Sequence, residues 1–257
     1  MRRLFLFLVA FICLFLQLGC LDEIDRDNRE FLYQEDFNVE EFTSLELAGW
    51  FDVFYTQSPY TSLTIKARDP EHISSLSIEL KNNNLLIYKE GTDSRRAGRT
   101  FTYNRVSIDT SVKYQIYVNA PNIESFQLFN SVNIYFDALV ELEKLNIETA
   151  GSATIELPDI SLGELTLETA GSITVNISGS ANKLTVETAG SARVNGQDFI
   201  CNIVNIETAG SSQINITVLD VLDVEIAGMG RVNYWGNPTI RQSIAGLGRI
   251  VKMETAN

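Results

Sequence analysis

The pentapeptide ETAGS occurs four times at nearly equal intervals, and this repeat constrains the fold more than any other feature of the chain. The copies begin at residues 148, 168, 187 and 207, and two diverged copies follow. A fixed period of about 19 residues is typical of solenoid proteins, in which each repeat stacks on the one before it. The glycines that mark the repeats are Gly151, Gly171, Gly190, Gly210, Gly228 and Gly246.

Side chains within each repeat alternate with a period of two, which predicts β-strands rather than helices. In the copy around Gly171, the apolar Leu167, Ile173 and Val175 share one parity, and Glu168 lies on the other. Such short repeats leave no room for a crossover helix, so each strand is expected to pair with its counterpart one repeat away, about 4.8 Å along the axis. The sequence therefore predicts a parallel β-solenoid with stacked Ala-Gly-Ser corners, where glycine permits a sharp bend.

The repeat pattern divides the chain into four segments. Residues 1–19 are predicted to be a signal peptide, and residues 20–41 an acidic tether. Residues 42–120 contain strand-like stretches at irregular spacing, and we expect them to form an N-terminal β cap and the first solenoid repeats. Residues 121–257 are expected to form the regular solenoid, which begins with a repeat that has Asn130 in place of the glycine.

The N-terminal segment has the order of a secretory signal, because Arg2 and Arg3 precede an apolar run that ends at Gly19. The run is shorter than the roughly 20 apolar residues that span a membrane. Cys20 directly follows a small residue, as in the lipobox of bacterial lipoproteins, and this resemblance implies that Cys20 carries a lipid that attaches the chain to the membrane. The alternative is an uncleaved anchor or an ordinary signal peptide.

The chain is acidic, with a formal net charge of −13 that becomes −15 when Arg2 and Arg3 leave with the leader. Nucleic acid is therefore not an expected partner, since its binding requires a basic face. The segment after Cys20 is rich in acids and has no apolar period, which predicts a solvated tether. A basic stretch that contains Arg95 and Arg96 is expected to be a solvated insertion.

Histidine and cysteine, which supply many nucleophilic and metal-binding sites, are scarce in this chain. The chain contains one histidine, His72, and Cys201 is the one cysteine that is neither in the leader nor at the lipidation position. This composition excludes an intrachain disulfide framework and metal sites built from several histidines or cysteines. Cys201 lies in the apolar stretch DFICNIV and is expected to be a small buried hydrophobe. No catalytic residue is assigned.

The first residue of each repeat motif is acidic and has the outward parity. These glutamates are expected to stack as a ladder of like charges about 4.8 Å apart, with no cation in the flanking rows. They either extend into solvent and are screened by salt, or bind Ca²⁺ or a similar hard cation, which prefers several oxygen ligands. No other cofactor is expected. The ladder comprises Glu148, Glu168, Glu187, Glu207 and Glu225.

Only the short stretch VKMETAN follows the last predicted repeat. This leaves little sequence for a cap over the C-terminal end of the solenoid. Uncovered ends offer unpaired strand edges to a partner. End-to-end self-association is therefore a further expectation.

Several of these stretches together resemble one family. The acidic tether, the opening LELAGWFDVFYTQ, the central NAPNIESFQLFNSVNI and the repeated AGS corners are similar to the putative auto-transporter adhesin, head GIN domain family over about residues 42–250. The resemblance implies a right-handed parallel β-helix in a secreted or envelope protein. It supplies no catalytic residues to transfer.

The expected function is that of a non-catalytic adhesive, binding or structural module for a glycan or a protein. The expected location is the outer membrane, and the opening CLDEID resembles the acidic export tag of some surface lipoproteins of Bacteroidetes. The alternative is a carbohydrate-active β-helix enzyme that uses outward carboxylates. Against it, the outward rows consist mostly of Ser, Thr, Asn and Ala, without a visible cluster of Asp with Lys or Arg beside aromatic platforms.

Overall fold

The fold is all-β in the computed structural model, which describes residues 31–91, 100–103, 106–137 and 139–254. One short helix, α1, spans Pro70–Ser74 in the described part of the chain, and this confirms the all-β prediction. The strands are β1 Tyr33–Phe37, β2 Ser44–Gln57, β3 Ser62–Ala67, β4 Leu76–Lys81, β5 Asn84–Lys89, β6 Thr100–Tyr103, β7 Val106–Asp109, β8 Lys113–Ala120, β9 Ser125–Phe136, β10 Val140–Trp235, β11 Thr239–Gly246 and β12 Arg249–Lys252.

Most strands belong to one mixed sheet that does not close on itself. Its order is β1-β3-β8-β2-β9-β10-β11, with β5 paired to β2, β4 to β5 and β12 to β10. Antiparallel pairs occur among β1, β3 and β8 and between β4 and β5, whereas β9 to β12 pair in parallel with the strands that precede them. The strands β6 and β7 form a separate antiparallel pair.

The parallel pairing follows the repeat of the sequence. Asn130 in β9 lies opposite Gly151, and Gly246 in β11 lies opposite Gly228. Within the long run β10, a Cβ atom built on Gly171 would lie 2.1 Å from the carbonyl oxygen of Gly151. Successive glycines are therefore in contact, as the stacked corners require. The coiling of this run as a right-handed β-helix stays a prediction.

One additional glycine belongs to this row. Gly49 in β2 lies opposite Asn130, so β2 takes the position of a repeat before β9. The glycines have φ angles between +127° and +155°, which L-residues with a Cβ rarely adopt, and Asn130 has a φ of 83°. We call this row the glycine column: Gly49, Asn130, Gly151, Gly171, Gly190, Gly210, Gly228 and Gly246.

The core follows the predicted parity. Leu165, Leu167 and Val175 are buried, as are their counterparts in the other repeats of β10, whereas Ile240 in β11 is 38% exposed. Cys201 is also fully buried, and burial raises the pKa of its thiol to about 12, so that it remains protonated at neutral pH. Towards the N-terminal side, Phe126 packs edge to face against Tyr55 and Phe136, with ring centroids 5.8 and 5.3 Å away.

The structure describes only some of the segments predicted from the sequence. Tyr33–Phe37, within the predicted tether, form β1 and pair with β3. The signal peptide, Cys20 and the basic stretch with Arg95, Arg96 and Arg99 lie outside the described residues. Across the described part of the chain, no helix is long and apolar enough to span a membrane. At the other end, all residues of β11 are exposed, and end-to-end association stays a prediction.

The threonines of the repeat motif point into the core and form an inner row beside the glycine column. The hydroxyl groups of Thr149 and Thr169 are buried without a hydrogen-bond partner, although Ile226 occupies the same position in a later repeat. We expect Thr169→Val to raise the free energy of unfolding by about 1 kcal/mol, because a methyl group replaces an unpaired buried hydroxyl.

The matched control is Thr208→Val. The Thr208 hydroxyl oxygen lies 3.3 Å from that of Ser212, so this substitution removes a hydrogen bond and leaves Ser212 unpaired. We expect no gain in stability from it. Urea unfolding of both variants measures the difference, and equal changes would contradict the assigned role of the hydrogen bond.

Candidate binding grooves beside the glycine column

Two shallow grooves run along the repeats, one on each side of the glycine column. The first, which we call the glutamate groove, has a volume of about 530 Å³ and is lined by the outward Glu and Ala rows and the backbone of the Thr row. The second, which we call the serine groove, has a volume of about 560 Å³ and is lined mainly by Ser, Thr, Arg and Gln. Each groove crosses several repeats, so its shape suits an extended ligand.

The glutamate groove contains the predicted ladder. All five glutamates, Glu148 to Glu225, line it and are exposed. The strand register extends the row beyond the prediction, because Gln127 lies opposite Glu148 and Glu46 lies opposite Gln127. Glu46 differs from the ladder, since it is buried and accepts a hydrogen bond from Asn84 at 2.6 Å.

Alanines form the floor of this groove. Ala150 lies opposite Phe129 in β9, and Ala227 lies opposite Ala245 in β11. The small side chains leave the carboxylates as the main polar groups for a ligand to meet. In the flanking row Arg241 lies opposite Asp223, which places one cation near the C-terminal end of the ladder, where none was expected. The groove is therefore lined by acidic side chains along most of its length.

The arrangement of the ladder does not amount to a preformed metal centre. Among the described residues, no group of three or more His, Cys, Asp or Glu side chains is placed to hold a metal ion. The cation-binding interpretation of the ladder stays a prediction, and so does the solvated one. They differ in how the stability of the chain should respond to Ca²⁺.

Neutralising the ladder distinguishes these interpretations. We expect Glu168→Gln combined with Glu187→Gln to raise the melting temperature by roughly 2–4 °C in chelator at low ionic strength, because like charges about 4.8 Å apart repel each other. The gain should disappear in high salt. The control pair is Asp198→Asn with Asp220→Asn, which are exposed acids outside both grooves.

Calcium is then added to each protein during thermal melting. Stabilisation of the parent chain but not of the glutamine variant would support cation binding. A melting temperature that ignores Ca²⁺ would show that the row is a solvated edge. If the ladder and control variants respond alike in chelator, the proposed repulsion within the row is wrong.

The serine groove is built from two outward rows. Ser152, Ser172, Ser191 and Ser211 follow the glycines directly, and Met229 continues their row. The third residue after each glycine forms the second row. This row, which we call the arginine row after its C-terminal members, comprises Thr154, Thr174, Arg193, Gln213, Arg231 and Arg249.

Asparagines form a third outward row next to the arginine row. Asn195 donates a hydrogen bond from Nδ2 to Oδ1 of Asn176 at 2.7 Å, and Asn176 donates to Glu156 at 2.6 Å. Further along, Asn233 donates to Asn215 at 2.8 Å. These bonds connect equivalent residues of successive repeats, so the side chains beside the arginine row are held in place.

Towards the N-terminal side, aromatic residues occupy the positions of the asparagine row. Phe54 stacks between Tyr117 and Tyr135, with ring centroids 4.8 and 5.1 Å away. The Nζ atom of Lys66 lies 4.3 Å from the centre of the Tyr117 ring. Both faces of the Phe54 and Tyr117 rings are therefore occupied, and Tyr135 has one face on Phe54 and lies opposite Glu156 on its other side. A sugar platform needs an open ring face, so this stack has a structural role.

One cluster departs from the sequence analysis, which found no group of Asp with Lys beside aromatic residues. Asp52 accepts hydrogen bonds from Lys113 at 2.6 Å and from Asn133 at 2.9 Å, and Lys113 lies 5.9 Å from the Trp50 ring centre. Asp52 is only 7% exposed, and both of its oxygens are occupied. The parallel pairing of β2 with β8 and β9 joins residues far apart in sequence, which is why the pattern did not reveal them.

The model of the family described as putative auto-transporter adhesin, head GIN domain, matches residues 41–238. The chain belongs to this family. The resemblance noted in the sequence is thereby confirmed, and the match begins close to the start of β2 and ends after β10.

Solved structures show the same fold. The chain is similar to a putative adhesin from Bacteroides fragilis, with a TM-score of 0.72, 19% sequence identity, and coverage of 86% of this chain and 96% of the other. A putative lipid binding protein from Parabacteroides distasonis matches with a TM-score of 0.60 and 18% identity, at the same coverages. A putative adhesin from Parabacteroides merdae matches with a TM-score of 0.58 and 16% identity, also at the same coverages. No curated protein matches the chain.

Membership of an adhesin-type family supports a cell-surface or envelope protein with a binding role. The identities are below one fifth, so the structural likeness establishes the fold and transfers no ligand. The identity of a ligand has to be argued from the grooves of this chain.

Proposed function

We propose that this chain is an outer-membrane lipoprotein that acts as a non-catalytic adhesive module and binds an extended glycan along its grooves. The observation that carries the proposal is the pair of grooves, which cross successive repeats with hydroxyl, amide and charged side chains. Such rows present hydrogen-bonding groups at a regular spacing of about 4.8 Å, which suits a polymer rather than a small molecule. A right-handed parallel β-helix is the proposed form of the repeats.

Lipid attachment is proposed at Cys20. Its support is the sequence, in which a short apolar leader ends at Gly19 and Cys20. The acidic residues that follow would hold the adhesive part away from the membrane. Exposure at the cell surface is the proposed orientation, since the opening CLDEID resembles an acidic export tag.

The arrangement of carboxylates favours binding over cleavage. Glycoside hydrolysis canonically needs two carboxyl groups on either side of the scissile bond, one acting as an acid. Asp52 is buried and fully hydrogen-bonded, whereas the exposed glutamates of the ladder lie in a single row on one side of their groove. The enzyme alternative would place the chemistry on that row.

Lipidation of Cys20 is tested by expression of the full chain and of Cys20→Ser in a Gram-negative host. We expect the parent chain to fractionate with the outer membrane and to carry an acylated Cys20 by mass spectrometry. The serine variant should be soluble in the periplasm or retain its leader. An unmodified Cys20 in the mature parent protein would contradict the proposed anchoring.

Binding is tested with the mature chain and a panel of neutral and anionic polysaccharides in affinity electrophoresis. We expect retardation by at least one polysaccharide without the release of new reducing ends. Reducing ends that disappear when Glu148, Glu168 and Glu187 are changed to glutamine would favour the enzyme alternative. A panel without any retardation would contradict the glycan-binding proposal.

A further inference from the structure

Three arginines of the arginine row have no partner within the part of the chain that the structure describes. Arg193, Arg231 and Arg249 are exposed, and none of them makes an ion pair or a side-chain hydrogen bond with any described residue. Arg231 and Arg249 lie directly opposite each other in the pairing of β10 with β12. With repeats about 4.8 Å apart, the three side chains occupy roughly 14 Å along one line.

The two rows that flank these three arginines contain no acid. From Ser191 onward, the row on one side is Ser191, Ser211, Met229 and Leu247, and the row on the other side is Asn195, Asn215, Asn233 and Val251. This three-row surface, which we call the basic patch, thus has three positive charges and no negative one. In a chain with a net charge of −13, such a patch is not expected from composition.

The lysines differ from these three arginines in having partners. Most lysines of the described chain contact an acid, an amide or a ring. Lys89 lies 3.3 Å from Asp109, and Lys183 lies 2.7 Å from Glu164. The others with such partners are Lys66 with Tyr117, Lys81 with Glu79, Lys113 with Asp52 and Lys252 with Asn237.

The two grooves therefore have opposite charge on either side of the glycine column. The glutamate groove repels anions, while Arg193 lies within the serine groove and Arg231 and Arg249 continue its outer row. Guanidinium groups bind carboxylates and sulfates in a planar, two-pronged geometry. The serine hydroxyls and asparagine amides beside them can bind sugar hydroxyl groups.

We propose that the basic patch binds an anionic polysaccharide, one that carries carboxylate or sulfate groups along an extended chain. This inference rests on the proposed function and specifies its ligand class and its groove. Hydroxyl and amide rows favour a polysaccharide over a lipid surface, which would require a broader apolar face than Met229 and Leu247 provide. The negative charge of the remaining surface disfavours nucleic acid.

The experiment compares two double variants with the same change in charge. Arg231→Gln with Arg249→Gln removes two arginines of the basic patch. Arg68→Gln with Lys144→Gln removes two exposed cations of the described chain that line neither groove. Affinity for polygalacturonate, for neutral dextran and for vesicles of phosphatidylglycerol and phosphatidylcholine in equal parts is measured at low and high salt.

We expect polygalacturonate to bind the parent chain, and the patch variant to bind it roughly tenfold more weakly, since exposed charge pairs contribute modestly but together. The control variant should change affinity less than twofold, and high salt should remove most of the difference. Equal losses in the two variants would overturn the proposal, because they would reflect net charge alone.

Other outcomes separate this inference from the proposed function. Binding of dextran but not polygalacturonate would leave a glycan-binding module intact and overturn the anionic ligand. Binding of vesicles without either polysaccharide would identify a membrane surface and overturn both. Absence of binding to all three probes would also reject the basic patch as a binding site.

Discussion

Gly171→Ala is expected to lower the free energy of unfolding by about 4 kcal/mol or more. The added Cβ would lie 2.1 Å from the carbonyl oxygen of Gly151, and the φ of 139° is itself unfavourable for alanine. A flexible side chain could move aside, but this contact is with backbone. Strands of two repeats would have to separate at the corner.

The matched control is another glycine in β10. Gly196 does not have a positive φ, and a Cβ there would lie 3.0 and 3.1 Å from side-chain carbons of Ile177 and Ile216 and 3.2 Å from the carbonyl oxygen of Asn215, instead of 2.1 Å from a backbone atom. We expect Gly196→Ala to lower the free energy of unfolding by about 1 kcal/mol, because contacts at these distances are relieved by shifts of a few tenths of an ångström. Chemical unfolding followed by far-UV circular dichroism measures both. Similar losses would contradict the stacking of the glycine column.

Phe126→Ala is expected to have the second large effect, because it should lower the free energy of unfolding by about 4 kcal/mol. Phe126 is fully buried between Leu45 of β2 and Ile147 of β10, and its ring contacts Tyr55 and Phe136. Removal of the ring would leave a cavity where the N-terminal strands meet the regular repeats, and large-to-small core changes of this type cost 3–5 kcal/mol in general. Both parts of the chain should be destabilised together.

Phe54→Ala provides the comparison, because it removes an aromatic ring from the outer stack on the same strand, β2. Phe54 is only half-buried, so we expect Phe54→Ala to lower the free energy of unfolding by about half as much as Phe126→Ala does. Thermal melting of both variants in the same buffer is sufficient. An outer-stack variant that is as destabilised as Phe126→Ala would show that the stack, and not the interior cluster, joins the two parts.

Stability and the proposed binding thus depend on different rows of the same repeats. The inward rows of apolar residues and the glycine column hold successive strands together, and changes there should disturb the whole fold. The outward rows contribute little to the core, so Glu, Ser, Arg and Asn can vary between repeats without loss of packing. This separation allows a charge difference between the two grooves to arise on one regular scaffold.

The sequence alone was sufficient to predict the regular repeats. Equal spacing of the glycines from Gly151 to Gly246 and the alternation around Gly171 determine which residues stack and which face the core, because each strand pairs with its nearest copy in the chain. The same regularity predicts that Glu148 to Glu225 form one row. In this part of the chain, residues at equivalent positions of successive repeats are also the residues that contact each other.

Only the tertiary structure decided what precedes and flanks those repeats. Gly49 joins the glycine column although 81 positions separate it from Asn130, and Asp52 meets Lys113 across β2 and β8. These strands have no common period, so their pairing depends on long-range burial of the residues around Phe126, which a local pattern does not encode. The basic patch likewise emerges from the stacking of single arginines in separate repeats, each unremarkable in its own stretch of sequence.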